Sequence, residues 1–359
     1  MLGYVNASVP DELRSAMALL QTASPAMPFE QIVEVITSSL GTRAPALLDG
    51  IERAPIAVAS IAQVHRAMLP DGTHVAIKVR HPNVEQAVEA DFRSAAIGRV
   101  LAGIAGAYGV RDMIVEARTA FLEECDFELE ATRQERFARL FADDPVIRIP
   151  SVIRAYSTRS VLVTRWTPGR SFDEFLATDP PQASRDVVGE ALFRFWMRTL
   201  YREGLFHADP HPGNFAFRDD GSVVIYDFGC VRELDPQLRR GFAALAAATR
   251  DDDVDAMSPA LDALGGRAPT DHKGKERLRR LLRGFYGPLL ATGPRRIALD
   301  EGFDARQVMA DKRAIARLQL PARMLFLFRL RFGLYAVLAR LGAEVDWSAL
   351  EQTWARETA

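Results

Sequence analysis

Residues 207–229 read HADPHPGNFAFRDDGSVVIYDFG and combine two carboxylates with an amide at a fixed spacing. Asp209 is followed by Asn214 five residues later, and Asp227 opens the tripeptide Asp-Phe-Gly. Between them, a turn signal at 219–221 separates two short apolar runs, which predicts a β-hairpin. Because such a hairpin returns the chain to its starting point, we expect these three polar side chains to share one site.

This order of residues is typical of the protein-kinase catalytic loop, in which Asn follows Asp at the fifth position and Asp-Phe-Gly comes next. In that chemistry one Asp orients or deprotonates the acceptor, while the Asn and the second Asp hold Mg²⁺ against the nucleotide phosphates. An isolated Asp-Phe-Gly arises easily by chance, but the ordered set is specific. We therefore assign Asp209 as the base or acceptor-orienting residue, and Asn214 and Asp227 as Mg²⁺ ligands.

A second hairpin is predicted upstream, where residues 61–69 and 73–80 flank a Pro-Asp-Gly turn. Its second strand contains Val-Ala-Ile-Lys ending at Lys78, the pattern in which a kinase lysine binds the nucleotide phosphates. A lysine at an exposed strand position is the plain alternative. The small-residue loop that precedes the hairpin favours a functional role for Lys78.

A carboxylate-rich stretch, EECDFELEA, occupies residues 123–131 within a region of helical periodicity that runs from residue 83 to about 143. A solvated acidic face is the usual explanation for such a run. Glu130, however, comes after the lysine strand and before the next hairpin, which is the order of the kinase helix glutamate that pairs with the phosphate-binding lysine. We therefore expect an ion pair between Glu130 and Lys78.

The bulk composition is that of an ordinary folded protein. A chain of 359 residues with 48% hydrophobic and 26% charged residues can bury a large core and form two lobes. A formal net charge of −2 gives no reason to expect a nucleic-acid partner.

The cysteine count and the hydropathy pattern bear on location. Two cysteines, without the Cys/His spacing of a zinc site, fit a reducing compartment, and we expect a cytoplasmic location. The most apolar stretch, 324–341, contains three arginines, so it predicts no transmembrane span and any membrane contact should be peripheral, at the inner face.

The rest of the chain alternates helical and strand patterns. Helical spacing covers residues 11–50, 171–177, 183–203 and most of the chain from residue 235 onward. A third hairpin is predicted from residues 152–156 and 160–165. This order predicts an α+β, bilobal protein-kinase-like fold with a small β-rich N-lobe that carries extra helices and a mostly helical C-lobe. The predicted divisions are a helical N-terminal extension (1–50), the N-lobe (51–166) and the C-lobe (167–359).

The segment APIAVASIAQVHRA at residues 54–67 resembles the alanine-rich loop of the UbiB/AarF/ADCK family of atypical protein-kinase-like proteins. Glu124 and Asp126 resemble the Glu-x-Asp signature of that family, and Glu130 resembles its helix glutamate. The resemblance implies a kinase-like fold that binds Mg-ATP. It also implies ATPase or unorthodox phosphotransferase activity linked to isoprenoid-quinone or lipid metabolism at membranes, with a lipid or quinone precursor as a candidate partner.

The resemblance further implies that ATP lies beneath the alanine-rich loop. The expected ATP contacts are Ala57, Val58, Ala59, Ser60, Gln63, Lys78, Thr164 and Trp166. Thr164 and Trp166 would line the adenine pocket near the hinge, whereas Gln63 is assigned from the resemblance alone. The Lys-x-Gly-Gln signature of the family would lie directly upstream of Met1 and is absent from the 1–50 extension, which is therefore expected to be truncated. Either the natural start lies further upstream, which is our hypothesis, or the chain has lost this element.

Three features argue against ordinary protein phosphorylation. The loop Ala57-Val58-Ala59-Ser60 is stiffer and bulkier than a glycine-rich loop, because glycine has no side chain and accepts unusual backbone angles. The tripeptide at 207–209 lacks the usual kinase arginine, and residues 230–248 contain no Ser, Thr or Tyr. Transfer to water or a small molecule is easier to accommodate.

Two alternative functions remain open from the sequence: a small-molecule kinase of the aminoglycoside or choline type, and a nucleotide-regulated, lipid-binding pseudokinase. Two local features also have a plain interpretation and a functional one. His207 and His211 are expected to brace the backbone of the loop rather than to react. The basic segment 273–283 could bind a membrane surface, although a solvated face of a C-lobe helix is the favoured interpretation.

Overall fold

The computed structural model describes residues 26–93, 110–298 and 322–358. The first elements are α1 (Phe29–Leu40), α2 (Pro45–Leu48), β1 (Ala57–Val58), β2 (Ala62–Met68), β3 (His74–Arg80), α3 (Val84–Arg93), α4 (Val110–Glu124), α5 (Phe127–Leu140), β4 (Ile147–Arg148) and β5 (Val161–Arg165). The larger lobe continues with α6 (Phe172–Ala177), α7 (Gln182–Arg198), β6 (Leu205–His207), β7 (Phe215–Phe217), β8 (Val223–Ile225), β9 (Val231–Glu233), α8 (Pro236–Arg250), α9 (Val254–Ala263), α10 (His272–Tyr286), β10 (Arg295–Arg296), α11 (Ala322–Leu341), β11 (Glu344–Val345) and α12 (Trp347–Thr358). This is the α+β, bilobal kinase-like fold that the sequence predicts.

The small lobe is built on an antiparallel sheet with the strand order β1-β2-β3-β5. Val75, Ile77 and Val79 alternate along β3 and are fully buried, so one face of the sheet is apolar. Ile32 and Ile36, one helical turn apart on α1, cover this face. The hairpin predicted at residues 61–80 is confirmed. The helix predicted to begin near residue 11 lies outside the described residues.

The other face of the sheet looks toward α5. Asp126 starts this helix as its N-cap, because its carboxylate accepts hydrogen bonds from the backbone N–H groups of Glu128 and Leu129, both at 3.1 Å. Phe127, the first residue of the helix, is fully buried and packs with Leu162 of β5. In the region predicted as helical from residue 83 to 143, the described residues form α3, α4 and α5.

The hairpin predicted from residues 152–165 forms only in its second strand. Residues 154–156 form a 3₁₀ turn, and an isolated bridge joins Val152 to Thr164. The physical reason lies in two short polar side chains. Ser157 Oγ accepts from Val163 N at 3.1 Å and Thr158 Oγ1 accepts from Val161 N at 3.2 Å, so these side chains bond strand amides that a regular hairpin partner would otherwise bond.

Three short strand pairs underlie the catalytic region of the larger lobe. β7 and β8 form the predicted hairpin, with Gly221 in the turn at a φ of 82°. β4 joins β8 in parallel, and β6 pairs with β9. This small framework rests on α7, from which Phe195 and Trp196 enter the aromatic core around His207.

The apolar stretch 324–341 lies in α11 and enters the core of the larger lobe. Leu330, Leu334 and Leu338 are buried there. Arg331 is tolerated because it pairs with Glu351 of α12 at 2.5 Å, with the side chains only 1% and 5% exposed. No described helix combines the length and the apolar character that a membrane span requires.

The basic segment 273–283 forms most of α10. Several of its cations are already paired within the lobe: Arg279 and Arg283 contact Asp252, and Lys275 contacts Asp255 at 2.8 Å. Leu278 and Leu282 are buried on the opposite side of the helix. The helix therefore has the arrangement that the sequence favours, with its apolar face toward the core of the lobe and its charged face toward solvent.

Removal of one partner of the Arg331–Glu351 pair should destabilise the fold. We expect Glu351→Ala to lower the free energy of unfolding by about 3–5 kcal/mol, because a buried guanidinium then loses its carboxylate. Glu357→Ala on the same helix removes an exposed partner of Arg202 and should cost only about 0–1 kcal/mol. Urea denaturation compares the two variants, and equal losses would contradict the assignment.

Candidate active site

A buried ion pair joins the sheet of the small lobe to α5. Lys78 Nζ lies 2.8 Å from Glu130 Oε1 and 2.9 Å from Oε2, so the ammonium bonds both carboxylate oxygens. Glu130 is 1% exposed and the Lys78 side chain is 16% exposed. Phe127 supports the ammonium from α5, with its ring centroid 5.1 Å from Nζ. The ion pair expected from the order of the two motifs is present.

Asp227 brings the second lobe into the same cluster. Its Oδ2 lies 3.2 Å from Lys78 Nζ, and its Oδ1 accepts a hydrogen bond from Gly229 N at 3.0 Å. The amide of Phe228 lies 3.4 Å from Glu130 Oε1, which ties the Asp-Phe-Gly backbone to the same carboxylate. Lys78 is therefore shared between two acids, one from each side of the cleft.

The catalytic loop is braced by its histidines, as expected. His207 Nε2 faces the backbone oxygen of Asp227 and donates a hydrogen bond to it. Nδ1 is then unprotonated and accepts a hydrogen bond from Asp209 N at 3.2 Å. His211 Nδ1 accepts from Gly213 N at 3.0 Å. Both rings hold backbone atoms of the loop in place.

Asn214 is oriented by Asp209 and by the hairpin that follows it. Its Nδ2 lies 3.1 Å from the backbone oxygen of Asp209 and 3.2 Å from Asp209 Oδ2. Its own backbone oxygen accepts from Tyr226 N at 2.9 Å, immediately before Asp227. The hairpin thus places Asn214 beside the strand end that carries Asp227.

The shared ammonium sets the protonation states of this cluster. Burial by itself raises the pKa of Asp227, but Lys78 and the Gly229 amide outweigh it, so the net pKa lies below its ordinary value. Burial raises the pKa of Glu130, and Lys78 opposes that effect only in part. The pKa of Lys78 lies above its ordinary value, because Asp227 and Glu130 outweigh the burial that lowers it. The ammonium stays charged.

A match to a known domain decides the family. The family model of the ABC1 atypical kinase-like domain matches residues 19–260, which is most of the chain. This chain belongs to the ABC1 family of atypical kinase-like proteins. Relatives carry the names AarF domain-containing protein kinase and ACTIVITY OF BC1 COMPLEX KINASE, in agreement with the resemblance to the UbiB/AarF/ADCK family.

Two curated relatives and one solved structure illustrate the relationship. The chain is 29% identical over 273 residues to the protein ACTIVITY OF BC1 COMPLEX KINASE 8, chloroplastic, of Arabidopsis thaliana, covering 73% of this chain and 35% of that protein. It is 29% identical over 243 residues to AarF domain-containing protein kinase 1 of Xenopus laevis, covering 66% of this chain and 47% of that protein. The chain therefore spans less than half the length of either relative.

The solved structure is similar over nearly the whole chain. It is the complex of Rv3197 with erythromycin from Mycobacterium tuberculosis, with a TM-score of 0.69 and 27% sequence identity. The similarity covers 98% of this chain and 89% of that one. The kinase-like architecture of the ABC1 family thus holds across the described residues.

The Glu-x-Asp signature of the ABC1 chain lies at the junction of α4 and α5. Glu124 ends α4 and lies beside Gly229, where a Cβ built on the glycine would be 3.7 Å from Glu124 Cγ. Asp126 serves as the N-cap of α5 described above. The signature therefore starts the helix that carries Glu130 and meets the Asp-Phe-Gly segment.

Arg133 belongs to this junction, although no sequence motif identifies it. Its Nη1 donates to the backbone oxygen of Gly229 at 2.9 Å, and its guanidinium also pairs with Glu123. Glu123 in turn contacts Arg232 of β9 at 2.9 Å. Arg133 lies three residues after Glu130 on the same helix, and this spacing places both side chains on one face. The spacing is the feature of the sequence from which Arg133 could have been predicted.

The alanine-rich loop is a hairpin whose faces separate the residues expected at the nucleotide. Ala57 pairs with Val64, and Val64 pairs with Lys78, so these three share the face that looks into the cleft. Val58 pairs with Gln63 and Gln63 pairs with Val79, which places them on the opposite face. Ala59 and Ser60 form the exposed turn between the strands.

Gln63, which was expected to contact ATP, lies on the face of the sheet that points away from Lys78. It is 1% exposed, and its Oε1 accepts from Met27 N at 2.8 Å. The one-residue alternation of a strand decides this, because neighbours of a cleft-facing residue point away from the cleft.

Thr164 and Trp166 lie on the cleft face at increasing distance from the ion pair. Thr164 pairs with Ala76, two residues before Lys78 on β3. Trp166 N donates to the backbone oxygen of His74 at 2.8 Å, which places Trp166 about 13 Å along the strand from Lys78. The indole lies under the Arg66 guanidinium, at 5.5 Å from the ring centroid. Both residues therefore lie on the face of the sheet that looks into the cleft.

The donor set fits Mg²⁺ held jointly by protein and nucleotide. Among residues 26–93, 110–298 and 322–358, no group of three or more His, Cys, Asp or Glu is arranged to hold a metal alone. Asp227 offers a carboxylate, and Asn214 offers its amide oxygen because its Nδ2 is engaged by Asp209. One or two protein oxygens completed by phosphates and water is the coordination that Mg²⁺ accepts.

The pKa of Asp227 predicts how the stability of the cluster depends on pH. Because the folded-state pKa lies below the unfolded value of about 3.9, the carboxylate contributes stability above that pH and loses it as the pH falls through the folded pKa. The difference in unfolding free energy between wild type and Asp227→Asn should therefore shrink below about pH 4.5. Urea denaturation from pH 7 to pH 3 measures it, with the exposed Asp219→Asn as control. A difference that grows on acidification would contradict the sign.

Proposed function

We propose that this chain binds Mg-ATP and transfers the terminal phosphoryl group to water or to a small molecule. The observation that carries the proposal is the joining of two distant motifs in one cluster. Lys78 of the small lobe bonds both Glu130 and Asp227, and the loop that begins at His207 holds Asp209 and Asn214 beside the same hairpin.

Each residue of the cluster has a definite part in this proposal. Lys78 binds the phosphates, and Glu130 holds the ammonium in position because it bonds Nζ through both oxygens. Asp227 and Asn214 would hold the cation, and Mg²⁺ bound there with the nucleotide would supply charge neutralisation. Asp209 orients the acceptor or receives its proton.

The cleft face of the small lobe supplies the nucleotide contacts. Ala57 and the turn formed by Ala59 and Ser60 would cover the phosphates, whereas Val58 lies on the same face as Gln63 and would support the loop from outside. Thr164 and Trp166 line the base end of the cleft. Gln63 has no part in nucleotide contact, since it lies on the other face of the sheet.

The chain after Asp-Phe-Gly supports a small acceptor. Residues 231–233 form β9, which pairs with β6, and Asp235 caps helix α8 at once. Arg133 also holds the carbonyl of Gly229. A protein kinase uses this region as a phosphorylated, peptide-binding activation segment, whereas here it is short and tied to the core.

The family context supports a second part of the proposal, a link to lipid or isoprenoid-quinone metabolism with peripheral contact at the inner face of a membrane. The candidate contact consists of three exposed cations on α10, namely Lys273, Arg277 and Arg280. A membrane surface with anionic lipids attracts such clusters by about 1 kcal/mol per cation.

One observation favours a second candidate function. The structure determined as a complex with erythromycin is similar to this chain over 98% of the chain's length, at 27% sequence identity. The acceptor or ligand would then be a molecule of the macrolide type. This agrees with the small-molecule kinase alternative.

Thermal denaturation with and without erythromycin tests this candidate, because a bound ligand raises the melting temperature. An unchanged melting temperature at saturating erythromycin would remove the candidate.

The role of Asp209 is tested by turnover. We expect Asp209→Asn to lower the rate of phosphate release from Mg-ATP by about 10²-fold or more, because the acceptor loses its base, while nucleotide affinity changes little. Asp219→Asn, in the exposed turn of the same hairpin, is the matched control and should retain wild-type turnover. The assay is run with and without anionic liposomes and lipid extracts. Nucleotide binding without any turnover that depends on Asp209 would favour the pseudokinase alternative.

A further inference from the structure

Gln63 and His65 are the polar residues of the motif SIAQVH that the proposed active site leaves unused. Both lie on β2, and both side chains are buried, at 1% and 0% exposure. They point away from Lys78, toward the start of α1. Buried polar side chains persist in proteins only with partners, so their contacts define what they do.

The two side chains form one continuous chain of hydrogen bonds. His65 Nδ1 lies 2.8 Å from the backbone oxygen of Glu52, an acceptor, so Nδ1 carries the proton and donates. His65 Nε2 is then an acceptor and receives Gln63 Nε2 at 2.9 Å. This orientation leaves Gln63 Oε1 to accept from Met27 N at 2.8 Å. Every donor in the relay meets an acceptor.

Further contacts join the same two segments. Arg53 pairs with Glu30 at 2.9 Å, and its guanidinium lies 4.4 Å from the ring centroid of Phe29. The Phe29 ring meets the His65 ring edge-on at 6.0 Å. The start of α1 is thus attached to the hairpin by a buried relay and an exposed ion pair together.

The attachment bears on the cleft because of strand alternation. Val64, between Gln63 and His65, lies directly opposite Lys78, and Ala57 lies opposite Val64. Residues 63 and 65 are held from the outer face, so the height of Val64 and Ala57 above the ammonium depends on that anchorage. A shift of the anchored backbone would move the roof of the cleft.

We propose that Gln63 and His65 are positioning residues, which form a relay that ties the chain at Met27 to the hairpin above the nucleotide and so sets nucleotide affinity. The inference rests on the proposed function, since it concerns the same nucleotide site. The motif SIAQVH thus acquires a role on the face of the sheet that points toward α1 and away from Lys78.

The test breaks the relay at each of its two members. Gln63→Met removes the hydrogen bonds at nearly constant side-chain volume, whereas His65→Asn retains a donor for Glu52 but is too short to accept from Gln63 as well. We expect each variant to weaken binding of Mg-ATP about fivefold, roughly the effect of one neutral hydrogen bond. The double variant should bind Mg-ATP no more weakly than either single variant, because both changes interrupt the same relay. Ile36→Val, in the buried core of α1, is the control for general loss of stability.

Calorimetry gives the affinities, and hydrogen exchange without nucleotide gives the coupling. Gln63→Met should speed exchange in residues 26–40 and 55–62, but not in the larger lobe. Unchanged affinity in Gln63→Met at a melting temperature matched to Ile36→Val would overturn the inference, as would additive effects in the double variant. A wild-type chain that binds no Mg-ATP would instead contradict the proposed function, and unchanged exchange in Gln63→Met would remove the relay independently of nucleotide.

Discussion

The Lys78–Glu130 ion pair is buried at the boundary between the small-lobe sheet and helix α5, and the arrangement of the site depends on it. Removing two charges from water is costly, so such a pair persists only where geometry and further hydrogen bonds compensate for the lost hydration. Here both oxygens of Glu130 bond the ammonium, and Asp227 adds a second carboxylate from the larger lobe. The two lobes are therefore held together at the point where chemistry is proposed.

The elements around the pair exist to place its members. α5 begins at Asp126 because that residue caps it, and this start sets the face on which Glu130 and Arg133 lie. Arg133 and Glu130 then hold the backbone of the Asp-Phe-Gly segment from the same helix. The Glu-x-Asp signature thus acts through helix geometry, and the segment after Gly229 has little freedom to move as a switch.

The sequence predicted the parts of the site that depend on order and spacing. The five-residue interval from Asp209 to Asn214 and the hairpin that returns to Asp227 are local features, so the pattern was sufficient. The Lys78–Glu130 pair depends on tertiary contact, but the resemblance to a kinase order identified both partners. The bilobal fold followed from the same motifs.

The parts that the sequence did not predict depend on a register or on local competition. Which face Gln63 occupies changes with a shift of one residue, and a composition pattern does not report that parity. The strand expected at residues 152–156 does not form, because the side chains of Ser157 and Thr158 accept hydrogen bonds from amides of the neighbouring strand. Arg133 carries no motif and is recognised only once Gly229 lies against its helix.

The affinities of the Lys78→Met variant for ATP and for adenosine test whether Lys78 binds the nucleotide phosphates. If Lys78 binds the nucleotide phosphates, loss of its charge-assisted contacts should weaken ATP binding about tenfold or more and leave adenosine binding unchanged. Titration calorimetry in the presence of Mg²⁺ separates the two ligands. Equal ATP affinity in wild type and Lys78→Met would mean that Lys78 does not bind the phosphates.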